Sequence, residues 1–204
     1  SYDPGGGAVM ARKAKIVRKT TETDITLDID LDKSGGGKID TTIPFLNHML
    51  DLFARHGRFK IGIKSKGDTE IDDHHLVEDL GICLGQAVGQ ALGKKIGINR
   101  YGSASLPMDE CLCHVNIDIS GRPYLIYKVR YERRKIGGFD PALVKEFFKA
   151  FTDHSGITLH INLAYGSNSH HIIEAVFKAF GRALRQAVNI NPEISGIPST
   201  KGML

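Results

Sequence analysis

No run of apolar residues in this chain approaches the roughly 20 needed to cross a bilayer, and the first nine residues lack the apolar core of a secretory signal. The chain is therefore expected to stay where it is made: the cytoplasm, or an organelle lumen such as the plastid if the source is a plant. No membrane partner is expected. Residues 1–9, with three consecutive glycines at 5–7, read as an unstructured leader or expression remnant and carry no fold information. Cysteine is scarce. Cys83, Cys111 and Cys113 are odd in number and sit in apolar or alternating segments, which points to reduced thiols. Cys111 and Cys113 have no second pair to complete four thiolate ligands, so a zinc knuckle is disfavoured. The positive excess is small, +4, and its lysines and arginines are scattered without a basic run interleaved with aromatics. That balance suits a small anionic ligand, and no nucleic-acid partner is expected. The H-E-x-x-H metalloprotease motif is also absent, and no Ser/His/Asp arrangement suggests a nucleophilic hydrolase.

What is present is a repeat. His74-His75-Leu-Val-Glu78 recurs as His170-His171-Ile-Ile-Glu174, shifted by 96 residues at both ends (74 to 170, 78 to 174). The similarity runs outward: Phe59, Ile61 and Ile63 alternate as Ile157, Leu159 and Ile161 do, the period-2 signature of a half-buried strand. Upstream, Ile25, Leu27 and Ile29 alternate as Val115, Ile117 and Ile119 do. Turns at 34–37 and 120–123 separate strands, Pro44 and Pro141 open helices, and Asp140 is placed to cap the second. Each long final helix begins at H-H-x-x-E. The 204 residues therefore read as an α+β fold, a tandem duplication of a β-β-α-β-α half with helices packed between or against mixed sheets. Residues 10–98 form the first repeat, 99–190 the second, and 191–204 a C-terminal tail, to which the resemblance given below assigns substrate binding.

On a helix, Glu78 shares a face with His74 at i+4 or with His75 at i+3, whereas adjacent histidines diverge by about 100°. His74 and His75 are thus poorly placed to chelate one ion together and well placed to serve two. Imidazole nitrogen with carboxylate oxygen suits Mn²⁺, Fe²⁺ or Zn²⁺. A lone H-H-x-x-E is more often a solvated helix start than a metal site, and its duplication reverses that weighting. His48 lies eight residues before His56, and Glu146 eight before His154, so the second half offers a carboxylate where the first offers an imidazole. His56 and His154 can also act as C-terminal helix caps beside Gly57 and Gly156, a role favoured for His154.

The segments "FLNHMLDLFARHG", "GDTEIDDHHLVEDLGICLGQAV", "INRYGSASLPMDE", "DISGRPYL", "TLHINLAYGSNSHHIIEAVFKAFGRALRQA" and "IPSTKG" closely resemble the imidazoleglycerol-phosphate dehydratase family of histidine biosynthesis, across residues 11–204. The resemblance implies a manganese-dependent hydro-lyase that dehydrates imidazole glycerol phosphate to imidazole acetol phosphate. It implies two Mn²⁺ per subunit, with Fe²⁺ or Zn²⁺ as substitutes, and self-assembly into a 24-subunit shell with active sites between subunits. By the same resemblance His48, His74, His75, Glu78, His170, His171 and Glu174 match metal ligands, and Glu146 falls where many relatives carry histidine. Among these, His75, Glu78, His171 and Glu174 also stand as catalytic candidates. Glu22 matches a substrate-contacting acid/base. Arg100, Arg122, Lys178, Ser199 and Lys201 match phosphate-binding positions; His48, His56 and Thr200 join them as substrate-contact candidates. The expected chemistry uses the imidazole ring as electron store: a metal on each ring nitrogen favours the imidazolate, hydroxide leaves to give a diazafulvene-like intermediate, and proton loss gives an enol that becomes the ketone. A metal-storage cage would explain the histidines but not the basic residues and the Ser-Thr-Lys tail that accompany them.

Overall fold

The structure, a computed structural model, describes residues 11–132 and 135–204; the expected leader at 1–9 lies outside the described residues. The first half runs β1 (Lys13–Lys19), β2 (Thr23–Asp30), β3 (Ile39–Asp40), α1 (Pro44–Gly57), β4 (Lys60–Gly67) and α2 (His74–Leu92). The second runs β5 (Tyr101–Met108), β6 (Cys111–Asp118), β7 (Tyr124–Lys128), α3 (Leu143–Ser155), β8 (Thr158–Tyr165) and α4 (Ser169–Val188). The sheets are ordered β1-β2-β4-β3 and β5-β6-β8-β7, antiparallel except for the parallel β3/β4 and β7/β8 pairs. The duplicated α+β fold expected from the sequence is thus observed, with one strand more per half than the β-β-α-β-α order.

The added strands are the edges β1 and β5, and each was hidden for a physical reason. In β1 the outward positions are Lys13, Lys15, Val17 and Lys19 and only Ile16 is buried, so its apolar alternation is thin. In β5 the inward position 102 is a glycine. A Cβ there would stand 1.9 Å from the carbonyl oxygen of Ala183, so α4 crosses β5 at a distance only glycine permits.

Burial follows the period-2 pattern. Ile25, Leu27 and Ile29 of β2 and Val115 and Ile117 of β6 face inward, and Leu27 and Val115 pair across to Ile63 and Ile161. The helices fill the space between the two sheets, with α1 packed on α4 and α2 on α3. Phe180 of α4 joins these layers: its ring stacks on Phe53 at 4.8 Å and meets Phe148 and Phe151 edge-on at 5.1 and 5.0 Å.

The helix starts set the site. Pro44 is the first residue of α1, as its fixed φ suits. Pro141 does not open α3, which begins at Leu143. The Asp140 carboxylate takes the Ala142 N–H at 2.8 Å, and the N–H groups of Leu143 and Val144 reach the carbonyls of Asp140 and Pro141, so a tight turn precedes the helix. The first turn of α4 is capped by the Asn168 side chain, which accepts from the N–H groups of His170 and His171 at 3.0 and 3.4 Å.

Candidate functional site

The i, i+4 spacing on α4 brings His170 and Glu174 onto one face, and the packing of α1 on α4 sets His48 opposite them. His48 Nε2 lies 2.8 Å and His170 Nε2 3.1 Å from the same oxygen, Oε1 of Glu174. The second oxygen, Oε2, accepts from Lys178 Nζ at 2.8 Å, while Lys178 also contacts the Met108 sulfur. Burial works against ionisation of Glu174, but hydrogen bonds from Lys178, His48 and His170 outweigh it and hold the carboxyl down at about 2. A cavity of about 370 Å³ opens here, lined by His170, His171, Glu174, Asn168, Met108, Lys135, Ile136 and Gly137. A larger one, about 470 Å³, lies on the outer face of the first sheet beside Gly36, Lys38 and Lys60, with no histidine in its wall.

The N-terminus of α2 carries the second cluster. His74 Nε2 is 3.6 Å from Glu78 on its own helix. His75 turns the other way, its ring at 90° to that of His74, and its Nδ1 meets Asp68 Oδ2 at 2.9 Å and Glu22 Oε2 at 3.8 Å. His170 and His171 diverge in the same manner, at 80°, and His171 Nδ1 meets Glu110 Oε2 at 2.8 Å. The hydrogen bond to Asp68 raises the pKa of His75, and that to Glu110 raises the pKa of His171. The adjacent histidines therefore do face different neighbours, as the helical angle requires.

Glu22 sits in the β1–β2 turn, pinned from below. The Thr20 hydroxyl accepts from the N–H groups of Glu22 and Thr23 at 3.1 and 3.0 Å. Thr23 in turn donates to the buried carboxylate of Asp79, which also pairs with Arg18 at 3.0 Å.

The expected phosphate ligands separate into two places. Arg100 holds Asp118 with two nitrogens, at 2.7 and 3.2 Å, and donates to the Pro198 carbonyl at 2.9 Å. Arg122 is largely exposed and 3.8 Å from the same Asp118, and the tail carrying Ser199, Thr200 and Lys201 turns above them, the Lys201 N–H donating to the Ser199 hydroxyl. Lys178 is not with them; it belongs to the His48/Glu174 cluster. Because the Arg100 N–H bonds the Ala187 carbonyl, thirteen residues past Glu174 along α4, the two groups stand about 20 Å apart in one chain. His56 lies in the last turn of α1, where burial, then Lys178 and Arg182, lower its pKa and favour the neutral ring. His154 sets Nδ1 at 2.9 Å from the Ala150 carbonyl at the end of α3, in keeping with a helix-end role. Glu146 is half-buried in the first turn of α3. Among the described residues, the clusters of three ligand groups are His48/His170/Glu174 and Glu22/Asp68/His75; neither takes in Glu146, His74, Glu78 or His171.

Sequence reading missed Asp68, Glu110 and Asp79. Glu22 and Glu110 each stand immediately before the second strand of their hairpins, β2 and β6. Aligning the two hairpins would have exposed the match, but it falls at an offset of 88 (22 to 110), not the 96 of the histidine motif, because the intervening loops differ in length.

A family model described as imidazoleglycerol-phosphate dehydratase matches residues 41–184. The chain is 60% identical over 197 residues to the protein of that name from Syntrophus aciditrophicus (strain SB), spanning 96% of this chain and 100% of the relative. It is 55% identical over 193 residues to the one from Bacillus licheniformis, spanning 95% and 100%. Among solved structures, imidazoleglycerol-phosphate dehydratase from Staphylococcus aureus superposes with a TM-score of 0.81 at 41% identity, covering 88% of this chain and 99% of that one. The enzyme from Pyrococcus furiosus in complex with (S)-C348 superposes at 0.79 and 38%, covering 93% and 100%.

Proposed function

The chain belongs to the imidazoleglycerol-phosphate dehydratase family, and from that premise we propose that it is a metal-dependent hydro-lyase of histidine biosynthesis, converting imidazole glycerol phosphate to imidazole acetol phosphate. The observation that carries the metal reading is the convergence of His48 Nε2, His170 Nε2 and Glu174 Oε1, all within 4.8 Å of one another. Two imidazole nitrogens and a carboxylate fit a borderline divalent ion such as Mn²⁺, with Fe²⁺ or Zn²⁺ as substitutes. When bound, such an ion supplies Lewis acidity that lets the imidazole ring of the substrate take up electron density.

The chain's own residues do the rest. Lys178 keeps the Glu174 carboxylate ionised beside the cavity through its 2.8 Å contact. Glu22, half-exposed and 3.8 Å from His75, is free to carry a proton between the reacting carbon and the leaving hydroxyl. Arg100, Arg122, Ser199, Thr200 and Lys201 gather donors at the other end of α4 for a phosphate, so that remote binding orients the reacting carbons. A three-carbon chain between ring and phosphate is far shorter than the 20 Å or so along α4 between these two groups. The active site therefore combines the metal cluster of one copy with the phosphate donors of another, which supports a closed homo-oligomer of the 24-subunit kind.

The test is direct: purified protein with imidazole glycerol phosphate, assayed for ketone formation with Mn²⁺, after chelation, and after Mn²⁺ is restored. Activity that vanishes on chelation and returns with metal is expected; turnover indifferent to chelation would overturn the metal reading, and absence of any turnover the dehydratase reading.

A further inference from the structure

We propose that Asp68 and Glu110 are positioning residues with a shared role, holding the ring of the second histidine in each pair by Nδ1, and that of the two hairpin glutamates this division leaves Glu22 free for proton transfer. The inference rests on the metal reading above. A carboxylate can only accept, so the 2.9 Å contact at His75 and the 2.8 Å contact at His171 place a proton on Nδ1 of both rings and leave Nε2 as the donor atom for an ion. His74 and His170 are used in the opposite sense, presenting Nε2 to the glutamate of their own helix at 3.6 and 3.1 Å.

The two holders come from different places in the fold. Asp68 directly follows β4; the residue directly following β8 is Gly166. A side chain there is shut out, because a Cβ on Gly166 would stand 2.4 Å from the Cys111 sulfur. The second half thus has no room for an equivalent of Asp68, and its hairpin glutamate does the holding instead. Glu110 is itself fixed in place, since its Oε1 accepts from the Asn168 N–H at 2.7 Å, the Ser167 N–H at 3.4 Å and the Cys111 thiol at 3.1 Å, beside a register shift in β6. Glu22, at the same place in the first hairpin, stands 3.8 Å from His75, beyond hydrogen-bond range, because Asp68 already occupies Nδ1. Duplication has thereby produced one fixed and one free glutamate from equivalent positions.

Mn²⁺ binding to the full-length protein, followed by the EPR signal of the free ion, separates these roles. Glu110→Ala and Asp68→Ala are each expected to weaken one class of Mn²⁺ site by about 10–100-fold, not the same class, with the isosteric Glu110→Gln and Asp68→Asn showing smaller losses in the same class. Glu22→Gln is expected to leave both classes within about threefold of the parent while turnover falls. In a His171→Ala background, Glu110→Gln should cause no further loss, because its effect passes through that ring. If Glu110→Gln leaves Mn²⁺ binding unchanged, or weakens it equally without His171, the proposal is overturned while the metal reading stands. A parent protein that binds no Mn²⁺ would overturn both.

Discussion

Replacing Gly181 with alanine should damage the His48/His170/Glu174 cluster from a distance. The Cβ introduced on α4 would stand 2.6 Å from the Phe53 carbonyl oxygen and 2.9 Å from the Gly57 nitrogen, both backbone atoms of α1. Side-chain carbons essentially never approach closer than 3.0 Å, so α1 must move away, by at least the difference between 2.6 and 3.0 Å. That is the helix carrying His48, and the contact it would stretch is the 2.8 Å one to Glu174. Overpacking of this kind costs about 1–3 kcal/mol, and the higher helix propensity of alanine offsets about 1 kcal/mol of it. A net destabilisation of about 0–2 kcal/mol is expected, together with weaker Mn²⁺ binding. Gly89 on α2 supplies the control. A Cβ there meets nothing nearer than 3.8 Å, so Gly89→Ala should be neutral or stabilising by about 0.5–1 kcal/mol. Urea denaturation of the metal-free proteins at one fixed concentration, followed by circular dichroism, reads the stability difference with an unchanged m-value. A Gly181→Ala protein as stable as Gly89→Ala, with Mn²⁺ affinity equal to the parent, would refute the claim that backbone contact between α1 and α4 sets the cluster.

Further outcomes are expected. Asp79→Ala strips Arg18 of its 3.0 Å partner and Thr23 of its acceptor; a loss of about 2 kcal/mol and a fall in kcat from the loosened Glu22 turn should appear together in denaturation and steady-state assays. In the metal-free protein Glu174, lowered from 4.5 to about 2, contributes stability that is fully present above 4.5 and lost as pH falls toward 2; Glu174→Gln should flatten that acid limb in pH-dependent melts. His171, raised above 6.5 by Glu110, contributes in the opposite sense, fully present below 6.5 and lost as pH rises through its folded value. Protons compete with metal at the same ring, so Mn²⁺ affinity measured by chelator competition should climb across that window. Cys83, Cys111 and Cys113 are buried and their thiols are pushed up to about 12, chiefly by burial; a thiol reagent at about pH 8 should label them only after denaturant is added.

The repeat made much of this protein legible in one dimension. Local periodicity encodes β2, β4, β6 and β8, because alternate positions must face the helices. The divergence of His74 from His75 follows from helix geometry alone, and proline at the first helical position marks the start of α1. Edge strands β1 and β5 were less legible because only one flank is paired and lysine or glycine replaces the apolar alternation. Likewise Asp140 and Pro141 carry the signals of a helix start yet form the turn before it, since backbone carbonyls there capture the next two N–H groups first.

What chain order could not express was which partners meet across the layers. His48 and Glu174 are 126 residues apart and touch only because α1 and α4 share a glycine-lined contact. Lys178, expected among phosphate ligands, stands 2.8 Å from Glu174 one helical turn away, apart from Arg100 and Arg122 within one chain. The separation of Arg100 from that cluster is likewise a property of the length of α4. Residue types and their spacing determined that this chain carries two sets of histidine and glutamate side chains on two helix starts, because covalent and helical geometry act over a few residues. Only tertiary packing decided which glutamate is held and which is free, because Asp68 and Gly166 differ in the room left at the end of their strands.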